Sequence, residues 1–320
     1  MNNLIGNTPM IKLKYKYNNK INNVYVKLEQ YNLTGSIKDR IAIYIIEEET
    51  KNNKLKYKMP IIEATSGNTG ISFAALGVKY NHPVYIFMPD WASKERINLM
   101  KLYGAKVTLI SKENGGFKRC IKEADALSKK INGYRPNQFS NPLNTECHYK
   151  KTGKEILEQL NNITIDAFVS GIGSGGTLMG VTKRLKEKYP NIKIGVVEPE
   201  NMPLLTNKNT REEHKIEGIG DDFIPDLLDT NIIDKIYDID DNDAVNMARL
   251  LSKKLGLGVG ISSGANLIGA ILMQENKDIN IVTIFPDDNK KYLSTDLSKD
   301  IDYNKNFISN KIELLNYEEL

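Results

Sequence analysis

The sequence AFVSGIGSGGT, residues 167–177, decides the fold. An apolar run at 167–169 predicts a buried strand, a glycine-rich turn follows, and a helical pattern begins at Thr177 and continues to Lys188. In parallel α/β sheets a turn of this kind lies at the carboxyl end of a strand, where ligands bind. The first N–H groups of a helix carry partial positive charge, so the turn favours an anion.

This loop alone permits two interpretations. It satisfies the G-x-G-x-x-G spacing of a dinucleotide-binding fold, and Glu198 follows at the end of the next predicted strand, where an acid that binds ribose would lie. It also suits a single phosphate, because its glycines let the backbone close tightly while Ser174 and Thr177 add hydroxyl donors. A dinucleotide-dependent oxidoreductase and another phosphate-binding enzyme are therefore both open at this point.

Apolar strands and helices alternate through most of the chain. Predicted strands at 24–28, 84–88 and 280–285 are mostly apolar, and helical patterns such as 38–50 and 70–80 separate the strands. Apolar strands separated by helices predict parallel sheets that are covered on both faces. The chain of 320 residues contains too many such units for one compact sheet. We therefore predict an α/β fold with two lobes.

Composition excludes several classes of protein. The net charge is only +4 and the charged residues are dispersed, so we expect no nucleic-acid partner. No stretch is apolar enough to cross a membrane, and the first residues lack the pattern of a signal peptide, so we expect a cytoplasmic protein. The two cysteines, Cys120 and Cys147, lack metal spacing, so no metal site is predicted. In an extended segment the adjacent Cys147 and His148 would face opposite ways, which argues against a Cys–His pair.

Two other segments carry polar groups at predicted helix starts. TSGNTG at 65–70 is dense in hydroxyl and backbone donors, which suits a carboxylate ligand, although Ser and Thr also serve simply as helix caps. In TGSIKDR at 34–40, Lys38 follows a Gly-Ser turn and opens an apolar helix. Such a position can desolvate the amine and lower its pKa, as a Schiff-base lysine requires. The alternative is a solvated surface charge.

Further short motifs extend the set along the chain. In order, they are IGNTP at 5–9, GSIKDR at 35–40, TSGNTG at 65–70, HY at 148–149, GIGSGGT at 171–177, EGIGDDFIP at 217–225, GISSGA at 260–265 and YLST at 292–295. This ordered set resembles the cysteine synthase / cystathionine β-synthase family, the β-family of fold type II pyridoxal-phosphate enzymes. The resemblance extends from residue 5 to residue 295, and it displaces the dinucleotide interpretation.

The resemblance implies a two-lobed fold of the tryptophan synthase β type, with a mostly parallel twisted sheet flanked by helices in each lobe. It predicts a smaller mobile lobe at 39–145 and a larger lobe, formed by 1–38 and 146–297, that binds the cofactor phosphate. We expect the polar residues 298–320 to form an accessory tail. The implied cofactor is pyridoxal 5′-phosphate (PLP), the implied ligand is a small amino acid, and the implied assembly is a homodimer.

The resemblance also implies roles for single residues. Lys38 would hold the cofactor as an aldimine and move the α-proton of the substrate. Ser262 would face the pyridine nitrogen and leave it unprotonated, which weakens the electron sink and favours loss of a β-leaving group over transamination or racemisation. The other predicted cofactor contacts are Asn68, Gly173, Ser174, Gly175, Gly176 and Thr177. The predicted substrate contacts are Thr65, Ser66, Asn68, Thr69, Gln138, Gly220 and Asp221.

The chain departs from the family pattern at residues 220–225, which read GDDFIP. Cysteine synthases usually read GAGFIP there and cystathionine β-synthases GYDFIP, so Asp222 matches the second group and Asp221 matches neither. One interpretation is that both carboxylates are solvated loop residues. The other is that Asp221 acts in catalysis by polarising water or a thiol at Cβ. Its charge would also repel hydrosulfide, the nucleophile of ordinary cysteine synthesis.

The predicted activity is PLP-dependent β-elimination or β-replacement on cysteine, serine or O-acetylserine through an aminoacrylate intermediate. The favoured version converts L-cysteine and water, or a thiol, into L-serine, or a thioether, with release of hydrogen sulfide. O-acetylserine sulfhydrylase (cysteine synthase) and cystathionine β-synthase-like activities are the alternatives. A non-catalytic PLP-fold binding protein is an alternative of another class, against which the intact Lys38 argues.

Overall fold

The computed structural model of the chain describes residues 4–206, 212–275, 277–299, 304 and 306–320. Its strands are β1 (Met10–Tyr17), β2 (Lys20–Leu28), β3 (Ile61–Ala64), β4 (Val84–Pro89), β5 (Lys106–Ile110), β6 (Ala167–Gly171), β7 (Lys193–Pro199), β8 (Lys235–Ile239), β9 (Ile281–Phe285) and β10 (Ile312–Glu319). Its α-helices are α1 (Lys38–Lys51), α2 (Asn68–Tyr80), α3 (Lys94–Leu102), α4 (Gly116–Ile131), α5 (Pro142–Cys147), α6 (Gly153–Gln159), α7 (Gly176–Lys188), α8 (Asp241–Leu255) and α9 (Ile261–Gln274). A π-helical turn, His148–Thr152, joins α5 to α6.

The strands form two sheets, one in each lobe. The larger sheet has the strand order β10-β1-β2-β9-β6-β7-β8, and the smaller sheet has the order β3-β4-β5. From β2 to β8 in the larger sheet, and throughout the smaller one, neighbouring strands are parallel. The predicted α/β class with two lobes and mostly parallel sheets is therefore confirmed.

Helices cover both faces of the larger sheet because its central strands are apolar on both sides. Neighbouring side chains of a strand point to opposite faces, and β6 shows this directly. Phe168 packs with Leu178 and Val181 of α7, whereas Val169 belongs to the core cluster formed with α8 and α9. The glycine-rich loop that leaves β6 therefore starts from a strand fixed on both faces.

An antiparallel hairpin extends the larger sheet beyond its parallel part. β1 and β2 pair from Met10↔Lys27 to Tyr17↔Lys20. The two-residue turn between them consists of Asn18 and Asn19, with φ of +49° and +61°, as a type I′ turn requires. Only residues 24–28 of this hairpin are predicted from the sequence.

The residues predicted as a C-terminal tail include β10, which pairs antiparallel with β1 at the sheet edge. Asp243 of α8 anchors the approach to this strand, because its carboxylate accepts hydrogen bonds from the backbone N–H groups of Ile308 (2.7 Å) and Ser309 (2.9 Å). Residues 300–303 and 305 of the predicted tail lie outside the described residues. No helix within the described ranges is both long enough and apolar enough to span a membrane.

The prediction of an extended segment at Cys147 and His148 is wrong, because Cys147 ends α5 and His148 begins the π-helical turn. The two side chains nevertheless meet different partners. Cys147 Sγ donates to the carbonyl oxygen of Arg40 at 3.2 Å, while the imidazole ring contacts two threonines. Burial also raises the pKa of the Cys147 thiol to about 12, which keeps it protonated.

Candidate active site

A cavity between the two lobes lies at the carboxyl ends of β3, β6 and β9. Its open volume, including the solvent-filled mouth, is about 840 Å³. Two predicted site residues lie outside its lining: Gly176, the first residue of α7, and Gly220, which lines an adjoining cavity together with Asp221. The lining includes the predicted residues Lys38, Thr65, Ser66, Asn68, Thr69, Gln138, Gly173, Ser174, Gly175, Thr177, Asp221 and Ser262.

Lys38 is the first residue of α1, and a tight turn places it at the cavity. Gly35 makes the turn possible, because its φ is +77° and a Cβ there would lie 2.2 Å from Asp288 Oδ2. Burial lowers the pKa of the Lys38 amine, and the carboxylates of Asp287 and Asp221 act in the opposite direction. A desolvated amine is a better nucleophile and proton acceptor at neutral pH, so this environment suits the role predicted for Lys38.

A buried ion cluster fixes the first turn of α1 behind the cavity. The guanidinium of Arg40 binds two carboxylates at once, donating to Glu29 at 2.5 and 2.8 Å and to Glu155 twice at 2.7 Å. Lys27 also pairs with Glu155, at 2.9 Å. Burial works against ionisation of Glu155, but Arg40 and Lys27 outweigh it and lower the pKa of this carboxyl to about 2. Because Arg40 lies two residues after Lys38, the cluster restricts where the lysine can sit.

The glycine-rich loop joins β6 to α7 with room for backbone only. A Cβ at Gly173 would lie 2.4 Å from the carbonyl oxygen of Gly218, and Gly175 has a φ of +83°, which favours glycine. The loop therefore presents backbone N–H groups, with the hydroxyls of Ser174 and Thr177, at the N-terminus of a 13-residue helix. This arrangement suits a phosphate group.

Side chains from α5 and the π-helical turn orient the two hydroxyls of this loop. Asn144 Nδ2 donates to Ser174 Oγ at 2.8 Å, and His148 Nε2 lies 3.2 Å from Thr177 Oγ1. Gly176 must be a glycine here, because a Cβ would lie 2.0 Å from Asn144 Oδ1. The sequence does not predict Asn144 or His148 as site residues, although the HY motif at 148–149 marks the position of the histidine.

His148 is held in its neutral form. Burial, and then the positive charges of Lys38 and Arg40, lower the pKa of its imidazole well below the usual value. Its Nδ1 lies 2.9 Å from Thr152 Oγ1, so both ring nitrogens contact hydroxyl groups. A neutral imidazole can orient the Thr177 hydroxyl of the glycine-rich loop without adding a charge there.

Residues 65–69 line the cavity where α2 begins at Asn68. No side chain caps this helix, so capping does not explain its hydroxyl groups. Thr69 Oγ1 donates to Gln138 Oε1 at 2.7 Å, and Asn68 Nδ2 donates to Asp287 Oδ2 at 2.8 Å. Asn68 Oδ1 is buried without a hydrogen-bond partner among the described residues. A helix start with uncapped N–H groups and several hydroxyls suits a carboxylate ligand.

Ser262, at the start of α9, and Asp287, just after β9, lie near each other, because the N–H of Gly260 donates to the carbonyl oxygen of Asp287 at 3.0 Å. Ser262 is buried and lines the cavity. Asp287 is not predicted from the sequence as a site residue, yet its Oδ2 accepts hydrogen bonds from Asn68 Nδ2 and from the Tyr292 hydroxyl, both at 2.8 Å. Asp287 thereby connects the loop at 65–70 with the carboxyl end of β9.

Asp221 and Asp222 have different surroundings. Asp221 lines both the main and the adjoining cavity, whereas Asp222 is exposed and pairs with Lys118 at 3.0 Å. Burial, and then the charge of Asp222, raise the pKa of Asp221 to about 6, although Lys38 acts to lower it. A carboxyl group with such a pKa exchanges protons near neutral pH, as a general base must. Asp222 is thus a solvated loop residue, whereas Asp221 faces the two cavities.

Arg96 of α3 also lines the cavity, although the sequence does not predict it. It is 2% exposed, and its guanidinium lies 4.4 Å from the ring centre of Tyr292. It forms an ion pair with Glu217, another residue of the cavity lining, and its Nη2 lies 3.7 Å from Asp287 Oδ2. The helix around it is mostly polar, so no apolar pattern indicates that this arginine is buried.

The cavity fits PLP in three respects that can be read from the structure. The glycine-rich loop offers backbone N–H groups at the start of α7 and the hydroxyls of Ser174 and Thr177 in the cavity lining, which suits a phosphate. The desolvated amine of Lys38 is suited to bond an aldehyde, and Ser262 offers a hydroxyl on the wall shared with Asn68. Over the described ranges, no group of three His, Cys, Asp or Glu side chains could hold a metal ion.

Comparison with known proteins agrees with this assignment. A family model described as pyridoxal-phosphate dependent enzyme matches residues 1–287. The fold and the site thus define a PLP-dependent enzyme of fold type II. Cysteine synthase of Staphylococcus aureus is 42% identical over 298 residues, which cover 92% of this chain and 95% of that protein.

Solved structures extend the comparison. The hydrogen sulfide-producing enzyme of Fusobacterium nucleatum has a TM-score of 0.95 at 48% identity, covering 99% of this chain and 97% of that one. An aspartate-to-asparagine variant of that enzyme, in complex with an α-aminoacrylate intermediate, has a TM-score of 0.96 at 48% identity, covering 99% and 98%. O-acetylserine sulfhydrylase isoform 3 of Entamoeba histolytica has a TM-score of 0.86 at 37% identity, covering 96% and 93%.

The chain therefore belongs to the cysteine synthase family of pyridoxal-phosphate-dependent enzymes. Its cofactor is PLP, and its substrates are small amino acids. It catalyses β-elimination and β-replacement through an aminoacrylate intermediate.

Proposed function

We propose that this enzyme converts L-cysteine and water into L-serine and hydrogen sulfide, and that a small thiol can replace water to give a thioether. The observation that carries the proposal is the carboxylate of Asp221 in the cavity wall. PLP, when bound, supplies the electron sink that allows the bond between Cβ and sulfur to break. A C–S bond is exchanged for a C–O bond, and the sulfide leaves with a proton, so no oxidant or reductant is required.

In this proposal Lys38 holds the cofactor and moves the proton at Cα. Its amine takes this proton before sulfide leaves and returns it after the nucleophile has bonded to Cβ. The low pKa caused by burial supports the role, because the amine must be neutral to accept a proton. The ion cluster around Arg40 supports it further by fixing the helix turn that carries the lysine.

Asp221 accepts the proton of the entering water. Water is a weak nucleophile and needs a base, whereas hydrosulfide is already ionised near neutral pH and needs none. A negative charge beside Cβ also repels hydrosulfide. The carboxylate in the wall therefore favours water as the entering group, with sulfide as the leaving group.

The remaining predicted residues hold the ligands. We assign the substrate carboxylate to the start of α2, opposite the loop that carries Asp221. The cofactor ring oxygen is assigned to Asn68 and its pyridine nitrogen to Ser262. The proposed substrate contacts are Thr65, Ser66, Asn68, Thr69, Gln138, Gly220 and Asp221, and the proposed phosphate contacts are Gly173, Ser174, Gly175, Gly176 and Thr177.

Two similar proteins support different versions of the reaction. The enzyme of F. nucleatum is described as hydrogen sulfide-producing, and the complex of its aspartate-to-asparagine variant holds α-aminoacrylate. An acid that acts after this intermediate has formed is what the proposal requires of Asp221. The S. aureus relative is named cysteine synthase, which favours O-acetylserine sulfhydrylase activity as the second candidate.

One steady-state comparison tests the proposal. The enzyme loaded with PLP is supplied either with cysteine alone or with O-acetylserine and sulfide, and sulfide, serine and cysteine are quantified. We expect kcat/KM for serine formation from cysteine to exceed that for cysteine formation from O-acetylserine. The opposite ranking would establish the second candidate.

Three further expectations belong to this proposal. The lobe at 39–145 closes over the bound amino acid, the larger lobe at 1–38 and 146–297 carries the phosphate, and 298–320 is a C-terminal accessory segment. The enzyme is a homodimer, which sedimentation at micromolar concentration tests. It acts in the cytoplasm, where fractionation of cells should find it.

A further inference from the structure

The loop that carries Asp221 contacts the smaller lobe on both sides of that residue. Before it, Glu217 pairs with Arg96 of α3. After it, Asp222 pairs with Lys118 of α4, and the ring of Phe223 stacks on that of Phe117 with centres 6.3 Å apart. Asp221 thus lies between two connections that cross the cleft.

The backbone between these connections is anchored at Ile219 and Gly220. Gly218 and Gly220 have φ of +95° and +73°, and Ile219 between them is buried in the core of the larger lobe. Gly220 is also held from both sides, since its N–H donates to the carbonyl oxygen of Ile172 at 3.0 Å and its oxygen lies 2.7 Å from His214 Nε2. The direction of the next side chain, Asp221, then depends on the two connections that flank it, Arg96–Glu217 and Lys118–Asp222.

Of the two ion pairs, Arg96–Glu217 is the more buried. Its side chains are 2% and 25% exposed, against 66% and 44% for Lys118–Asp222. Exposed pairs contribute little, whereas loss of one partner of a buried pair is costly. Arg96 is itself fixed, because it lies on the ring of Tyr292 and because Gly67 leaves room for it: a Cβ there would lie 2.3 Å from Arg96 Cδ.

We propose that Arg96 and Glu217 are positioning residues that hold the Asp221 carboxylate over Cβ and so determine that water enters there. This inference rests on the proposed function of Asp221. Arg96 touches the loop at 65–70, where the amino acid is proposed to bind, and Glu217 begins the segment that leads to the base. Asp221 is therefore in place when these contacts hold the two lobes together.

The test is Glu217→Gln in the PLP-loaded enzyme, with sulfide and serine followed separately after mixing with cysteine. The first release of sulfide precedes the step that uses Asp221. We expect serine release to fall by roughly tenfold to a hundredfold, the cost of misplacing a reacting group by about 1 Å, and to fall further than the sulfide burst. The pH midpoint of serine release should also move to lower pH, because a loosened loop exposes Asp221 to water while Lys38 and Asp222 remain its charged neighbours.

Glu213→Gln is the matched control, because Glu213 lies on the same loop and pairs with Lys112 of the smaller lobe, but both side chains are well exposed. We expect Glu213→Gln to change neither the rate of serine release nor its pH midpoint. Arg96→Lys, which keeps the charge, is the second variant if Glu217→Gln does not fold. In this variant too, the rate of serine release should fall further than the sulfide burst. Parent-like serine release in these variants, or an equal shift in Glu213→Gln, would overturn the inference while leaving the role of Asp221 intact. A parent enzyme that makes no serine overturns the proposed function itself.

Discussion

Asp222 pairs with Lys118 across the cleft at 3.0 Å, and the residue before it, Asp221, faces the cavity. Two neighbouring acids thus differ in position: Asp222 joins the two lobes, and Asp221 faces the cavity in which the substrate is proposed to bind. The two are also coupled electrically, because the charge of Asp222 contributes to the raised pKa of Asp221. Two consecutive acids in the motif therefore have distinct tasks.

Asp221→Asn keeps the size of the side chain and removes its charge. We expect the variant to form the aminoacrylate from cysteine, but serine release should fall by roughly 10²–10⁴, the usual contribution of a general base. Stopped-flow absorbance follows the persistence of the intermediate, and amino-acid analysis follows serine. Asp222→Asn is the control and should retain most of the activity. Serine formation at the parent rate in Asp221→Asn would contradict the role of Asp221 and favour O-acetylserine sulfhydrylase (cysteine synthase) activity.

The pH dependence of serine release should follow Asp221. The carboxylate must be deprotonated to accept a proton from water, so the rate should rise with pH through about 6. In Asp222→Asn a neighbouring negative charge is lost, the pKa of Asp221 falls, and the rising limb should move to lower pH. In Asp221→Asn this limb should disappear. If the rising limb of the pH–rate profile stays unchanged in both variants, it reports the titration of another group.

Lys38 should be the point of covalent attachment. The purified enzyme should be yellow, and borohydride should abolish the visible band while fixing the cofactor to this residue. Mass spectrometry of the digested protein identifies the modified lysine, and an adduct elsewhere would contradict the assignment. Lys38→Ala should lose turnover by orders of magnitude, because both the covalent link and the proton carrier are removed.

Arg40→Met should destabilise the fold. It leaves Glu29 and Glu155 buried without their main partner, so we expect the free energy of unfolding in urea to fall by about 3–5 kcal/mol. Lys193→Met, which breaks an exposed pair with Asp234, is the control and should cost less than about 1 kcal/mol. The folded-state pKa of Glu155, about 2, lies below its ordinary value of 4.5. Its contribution is therefore present above pH 4.5 and is lost as pH falls towards 2, and a parent-like acid midpoint in Arg40→Met would contradict this role.

Strands that are buried on both faces are predicted closely from the sequence. β4, β6 and β9 are apolar runs, and their predicted limits lie within two residues of the observed ones. β1, β8 and β10 are not predicted from the sequence. They are amphipathic or exposed, as edge strands and hairpins are, and their pairing depends on residues far away in the chain.

The candidate site also contains residues that the sequence predicts and residues that it does not. Residues in glycine-rich and hydroxyl-rich motifs, such as 171–177 and 65–70, could be selected because the motif itself suits an anion. Arg96, His148 and Asp287 could not be selected on composition, because each matters only through neighbours that the fold brings to it. The different surroundings of Asp221 and Asp222 are likewise a property of the folded loop.

The pairing of β10 with β1 has a consequence for biosynthesis. Strands separated by about 300 residues share one edge of the larger sheet, so this contact contributes strongly to a high contact order. During synthesis β1 has no partner on that side until β10 has left the ribosome. A nascent chain that pauses between β9 and β10 would present this open edge to other chains, so slow translation of that stretch should increase aggregation more than slow translation of earlier stretches.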